Sequence, residues 1–96
     1  MPAYIIALVN VTNPEKYQEY AKRAGQANAK HGSRFLVRGG KKTTLEGDIP
    51  FQRIVVTEFP DVETAKKFYN SPDYQDARKH RLGAADFHMV IVEGAA

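Results

Sequence analysis

The chain has 96 residues, 14 of them basic and 11 acidic, a net charge of +3 and no cysteine. That length suits one domain, which buries only about 60–65% of its unfolded surface, so its stability is marginal unless a partner adds buried area. The lack of cysteine excludes disulfides, thiolate catalysis and zinc–cysteine sites; the mild charge, clustered only at Arg78-Lys79-His80-Arg81 and Lys41-Lys42, argues against a nucleic-acid surface.

Ala3 to Val11 (AYIIALVNV) is rich in β-formers and apolar on both parities. Ile5, Ala7, Val9 and Val11 share one face, and Tyr4, Ile6 and Leu8 the other, as in a strand covered on both sides. The spacing then predicts a helix. Asn13 caps it, Pro14 fits its first turn and Glu15 favours the positive end of its dipole. Tyr17, Tyr20, Ala21, Ala24 and Ala27 form a stripe at helical spacing, and Gly32 is a natural stop.

Ser33 to Arg38 reads as a second strand, resuming around Thr43 to Leu45 after Gly39-Gly40, with Glu46-Gly47-Asp48 as a turn. The glycines are expected to form a bulge at the sheet edge, or to let a ligand or backbone come close. A third strand, roughly Gln52 to Phe59, carries Val55, Thr57 and Phe59 on one face and Ile54, Val56 and Glu58 on the other. Asp61 caps a second helix whose inner stripe is Val62, Ala65, Phe68 and Tyr69. Asn70-Ser71-Pro72 breaks it. Ser71 caps a further short helix with Tyr74, Ala77 and Arg81 on one side. The fourth strand, about Asp86 to Glu93, sets Phe87, Met89 and Ile91 against Val90 and Val92.

The order β-α-β-β-α-β is the split βαβ pattern of an α+β, ferredoxin-like sandwich with an antiparallel sheet. Two helices cover only one face of such a sheet. Leaving about six large aliphatic side chains of the other face in water forgoes roughly 1.5–3 kcal/mol each, and monomers seldom show such a patch. A second copy of the same sheet, packed about a two-fold axis, is the expected cover; a monomer shielded by its own loops is the alternative. The opening MPAYIIALVN lacks the basic start of a signal peptide, and its apolar run is too short for a membrane span, so a cytoplasmic location is expected.

Five stretches in order resemble one family: AYIIALVNVTNPEKYQEY, GSRFLVRGG, VVTEFPD, FYNSPDYQDARKHR and MVIVEGA. They are similar to the small bacterial domain of unknown function thirteen-thirty family of the dimeric α/β barrel superfamily. The resemblance implies a ferredoxin-like fold and a homodimer, and supplies no activity. Relatives in that superfamily include cofactor-free monooxygenases, muconolactone isomerases, haem-degrading enzymes and chlorite dismutases; those activities reach this chain only by analogy.

Several residues qualify for chemistry. Arg38 suits a carboxylate or phenolate. Glu58, among apolar neighbours of its own parity, is a candidate general base or acid, with Arg38 in reach across a hairpin; the competing reading is an Arg–Glu pair that holds strands or subunits in register. His88 could shuttle a proton or serve as a packing residue. Tyr74 and Arg81 are candidates for a pocket edge, whereas Tyr17 and Tyr69 read as core. The three histidines lack metal-ligand spacing, so neither metal nor cofactor is expected. The expected ligand is a small anionic or aromatic molecule. The expected chemistry is cofactor-free proton transfer or oxygenation, and the alternative is a non-catalytic ligand-binding or structural homodimer.

Overall fold

A computed structural model describes residues 1–95. Its elements run β1 (Ala3–Val11), α1 (Pro14–Lys30), β2 (Arg34–Arg38), β3 (Arg53–Phe59), α2 (Val62–Tyr69), α3 (Pro72–Lys79) and β4 (Ala85–Glu93). The strands form one antiparallel sheet in the order β2-β3-β1-β4. This is the expected ferredoxin-like α+β sandwich, with the second helical region divided in two.

Each helix begins where its sequence says it should. The side chains of Asn13, Asp61 and Ser71 accept from the backbone N–H of Lys16, Thr64 and Tyr74, which satisfies donors that an α-helix leaves free at its start. Pro14 and Pro72 sit in the first turns, and α1 ends at the His31 cap before Gly32.

All three helices lie on one face of the sheet. That face brings Ala3, Ile5, Ala7 and Val9 of β1 and Phe59 of β3 against Tyr17, Tyr20, Ala24 and Ala27 of α1, with Phe68 of α2 and Tyr74 of α3. The alanines keep α1 close to its neighbours. The aromatic rings form a chain: Phe59–Phe68 at 5.2 Å, Phe68–Tyr74 at 4.8 Å, Tyr20–Phe87 at 5.7 Å and Tyr17–Tyr20 at 5.5 Å between centroids. Each such pair adds about 0.5–1.5 kcal/mol beyond the area it buries.

The other face carries no helix. Across it run the rows Tyr4–Glu58–Val92, Ile6–Val56–Val90 and Leu8–Ile54–His88. Val90 and Val92 remain 54% and 45% exposed. The lack of cover that strand parity foretold is therefore present in the single chain.

Two local expectations fail. Residues 43–45 form no strand; the chain from Lys41 to Pro50 is irregular and exposed, and Leu45 keeps 91% of its surface in water. β3 already pairs with β2, and no further strand stands at that edge to receive Thr43–Leu45. The loop is tied at its far end instead, where Asn10 Nδ2 donates to the Pro50 carbonyl at 2.6 Å and Gln52 N–H donates to Asn10 Oδ1 at 2.8 Å. The second failure concerns the bulge. It falls between Phe35 and Val37, three residues before the glycines: Phe35 pairs with Thr57 and Val37 with Val56, so two steps on β2 match one on β3. β2 is nonetheless the edge strand expected.

Candidate functional site

The bulge decides where Arg38 points. Strict alternation would place it with Arg34 and Leu36. The extra residue shifts the phase, so Arg38 pairs with Val55 on the helix-covered face, as Phe35 does with Thr57. Its guanidinium lies over the Phe35 ring, 4.2 Å from the centroid.

Arg38 opens onto a cavity of about 50 Å³ between α1 and the sheet. By volume this holds roughly three to five waters or a fragment of that size. Tyr17, Tyr20, Phe35, Phe87 and Met89 supply much of its wall, with Asn28 and Thr57 as polar points. At its floor the Tyr20 and Tyr74 hydroxyls stand 2.9 Å apart, and Tyr74 Oη points to Met89 Sδ at 3.8 Å. Burial, and then the neighbouring Tyr74, push the Tyr20 phenol well above its ordinary pKa.

A second cation lines the same cavity. Arg53, opposite Val9 on the helix-covered face, sets its guanidinium 5.7 Å from the Tyr17 centroid. Burial raises the Tyr17 phenol, and the Arg53 charge opposes that rise. Arg53 Nε is buried and has no hydrogen-bond partner. Among the described residues, neither Arg38 nor Arg53 has a carboxylate within 4 Å.

Sequence reasoning missed Arg53. The signal was there: Arg53 shares the parity of Val55, Thr57 and Phe59, so a charge stood on the face assigned to the helices. Two glycines make room for the pair. A Cβ on Gly25, in mid-α1, would stand 2.9 Å from an Arg38 Nη; one on Gly39, which has φ of 71°, would stand 2.6–3.0 Å from the Arg53 guanidinium. The RGG sequence thus ends a strand where absent side chains leave space for a cation.

Three expectations about placement are corrected. Arg38 does not reach Glu58, because they occupy opposite faces; Arg34, directly across from Glu58, takes that carboxylate at 2.9 Å. Tyr74 is no pocket edge: it is 1% exposed and forms the floor, because α3 turns it inward under α1. Arg81 is also buried, at 8% exposure, since the turn after α3 folds it over the Phe87 ring at 3.9 Å. His88 lies on the open face, packed edge-on against Phe51 at 5.1 Å. The structure therefore brings Arg38 and Tyr74 to one cavity and leaves Glu58 and His88 on the other side of the sheet.

Among the described residues, no group of three or more His, Asp or Glu gathers as a metal would need, and no helix is long and apolar enough to cross a membrane.

Solved structures with this fold span the whole chain. A protein of unknown function from Rhodopseudomonas palustris matches with a TM-score of 0.78 at 22% identity, covering 99% of this chain and 83% of that one. A dimeric ferredoxin-like protein of unknown function from Thermobifida fusca matches at 0.66 and 16%, covering 96% and 90%. SnoaB from Streptomyces nogalater, a cofactor-independent oxygenase, matches at 0.67 and 10%, covering 99% and 94%. At these identities the likeness shows the fold. No curated protein matches significantly. The family pattern described as domain of unknown function (DUF1330) matches residues 2–95, and the chain belongs to that family.

Proposed function

We propose that the chain forms a homodimer through the open face of its sheet, and that each protomer binds a small, partly aromatic anion in the cavity between α1 and the sheet. The observation that carries the second statement is the presence of two guanidinium groups, Arg38 and Arg53, without carboxylate partners on a mainly aromatic and apolar cavity. Arg53 is partly buried, where a cation is costly unless paired, and a bound anion, reached also by the exposed Arg38, supplies the missing partner.

The dimer rests on Ile6, Leu8, Ile54, Val56, Val90 and Val92, which make one apolar field across three strands. The molecule measures 33 × 30 × 16 Å, so one broad face offers the ~800 Å² per partner that a standard interface takes. The neighbour from Thermobifida fusca is described as dimeric.

Binding is favoured over catalysis by the lining. Proton transfer or cofactor-free oxygenation, the chemistry of the SnoaB neighbour's class, calls for a base against the ligand. Among the described residues no carboxylate or imidazole lines the cavity. Glu58 is assigned to a register-holding pair with Arg34, and His88 to packing on Phe51.

A thermal-shift screen with small organic anions tests the site. A rise in Tm that disappears in Arg38→Ala supports it; no shift from any member rejects it. Light scattering tests the dimer: a 10.8 kDa particle at micromolar concentration rejects it.

A further inference from the structure

The in-plane edges of Arg38 and Arg53 narrow the class of anion. Each guanidinium carbon stands over an aromatic ring, Arg38 over Phe35 at 4.2 Å and Arg53 over Tyr17 at 5.7 Å from the centroid. A guanidinium that meets a ring with its flat face keeps its N–H edges for an acceptor, and Arg53 Nε has no partner within the protein. Those edges match a planar carboxylate in paired, parallel hydrogen bonds. The small cavity behind them, walled by Tyr17, Tyr20 and Phe87, suits a short or flat apolar body.

The cost accepted at the glycines points the same way. A mid-helix glycine lowers helix stability relative to alanine, yet Gly25 stands inside α1, where alanines are frequent. The atom that an added Cβ would meet is the tip of Arg38, 2.9 Å away. Gly39 plays the same part for Arg53, in a backbone conformation that side chains disfavour.

Resting on the binding role proposed above, we propose that the cavity takes a monocarboxylate, gripped at its mouth by Arg38 and Arg53, and that Gly25 and Gly39 determine this specificity by giving the two guanidinium groups their positions. The ligand's chain or ring enters among the aromatic walls, while the carboxylate stays at the mouth. Asn28 has one of its two amide hydrogens committed, since its Nδ2 donates to the Ala24 carbonyl at 2.8 Å, and its Oδ1 accepts from the Ser33 hydroxyl at 2.6 Å.

The test is titration calorimetry on the full chain with monocarboxylates from butanoate to benzoate, each against its own amide, and with inorganic phosphate. The best acid is expected to bind at least about tenfold more tightly than its amide and than phosphate, a difference that Arg53→Lys, which keeps charge but loses the fork, removes. The sharper variant is Gly25→Ala. It is expected to raise Tm, through better helix propensity, and to cut acid affinity about tenfold while the amide is unaffected, because the displaced group is a flexible side-chain tip. Acid and amide binding alike, phosphate matching the best acid, or full acid binding in Gly25→Ala each overturns the carboxylate clamp while the cavity stands as a binding site. If neither acids nor amides bind at all, the binding role itself fails and the clamp with it.

Discussion

Val9 and Phe59, on the helix-covered face, are shut from water, whereas Val90 and Val92 on the opposite face keep about half of theirs. Both sets come from the same four strands, one residue out of phase. The covered face combines aromatics and alanines with arginines; the open face sets Ile6, Val56 and Val90 in one cross-strand row, with Tyr4, Glu58 and His88 among the aliphatics of the rows beside it. The difference is what the proposed function asks of two faces with different partners. A face meant to mate with a flat copy of itself needs uniform, low-relief side chains. A face meant to enclose something small needs bulky rings that leave a gap, and a charge at the edge of the gap.

Each face can be broken separately. Val90→Asp sets two unpaired carboxylates into the proposed interface of each dimer, several kcal/mol apiece; sedimentation should then report 10.8 kDa with the fold retained by circular dichroism. Phe59→Ala removes a fully buried ring from the covered face and should cost about 3–5 kcal/mol in denaturant unfolding, without changing the cavity's preference among ligands in the fraction that remains folded.

A smaller effect belongs to the seam between α1 and α3. The Ser71 hydroxyl and then the His31 ring, 3.2 Å away, hold the Asp73 carboxyl down to about 2 from its ordinary 3.8. A depressed folded-state pKa gives stability that is complete above about pH 4 and lost as pH falls through 2. Asp73→Asn should lower Tm by a few degrees near neutrality, about 1 kcal/mol, and flatten the acid limb of a Tm-against-pH curve between 4 and 2. The smallest effect is expected on the open face: Arg34→Ala, which frees Glu58 from a largely exposed pair, should cost about 0–1 kcal/mol. A larger loss that depends on protein concentration would show that the pair is buried in the dimer.

Strand parity, helix stripes and the caps Asn13, Asp61 and Ser71 were all legible in the sequence, because each depends on neighbours within a few residues. So was the uncovered sheet face. The bulge was not. Glycines mark where a backbone can bend, but the extra residue fell at Leu36, where only pairing with β3 reveals it. Without that phase shift Arg38 was assigned to Glu58, whose own face was read correctly. Thr43–Leu45 looked like strand because its composition allows one; the missing partner strand is a fact about the whole sheet. The role of Gly25 was equally hidden, since the tip it accommodates comes from a different element.

The offset at Leu36 means that strand pairing, more than residue identity, governs what Arg38 does. Straightening the bulge with Leu36 kept in the ladder would swing the cation to the far side of the sheet, emptying one compartment and planting a charge in the other, whereas deleting Leu36 would close the ladder with Arg38 still opposite Val55. A relative one residue shorter here would hold the arginine over the same cavity with no bulge at all.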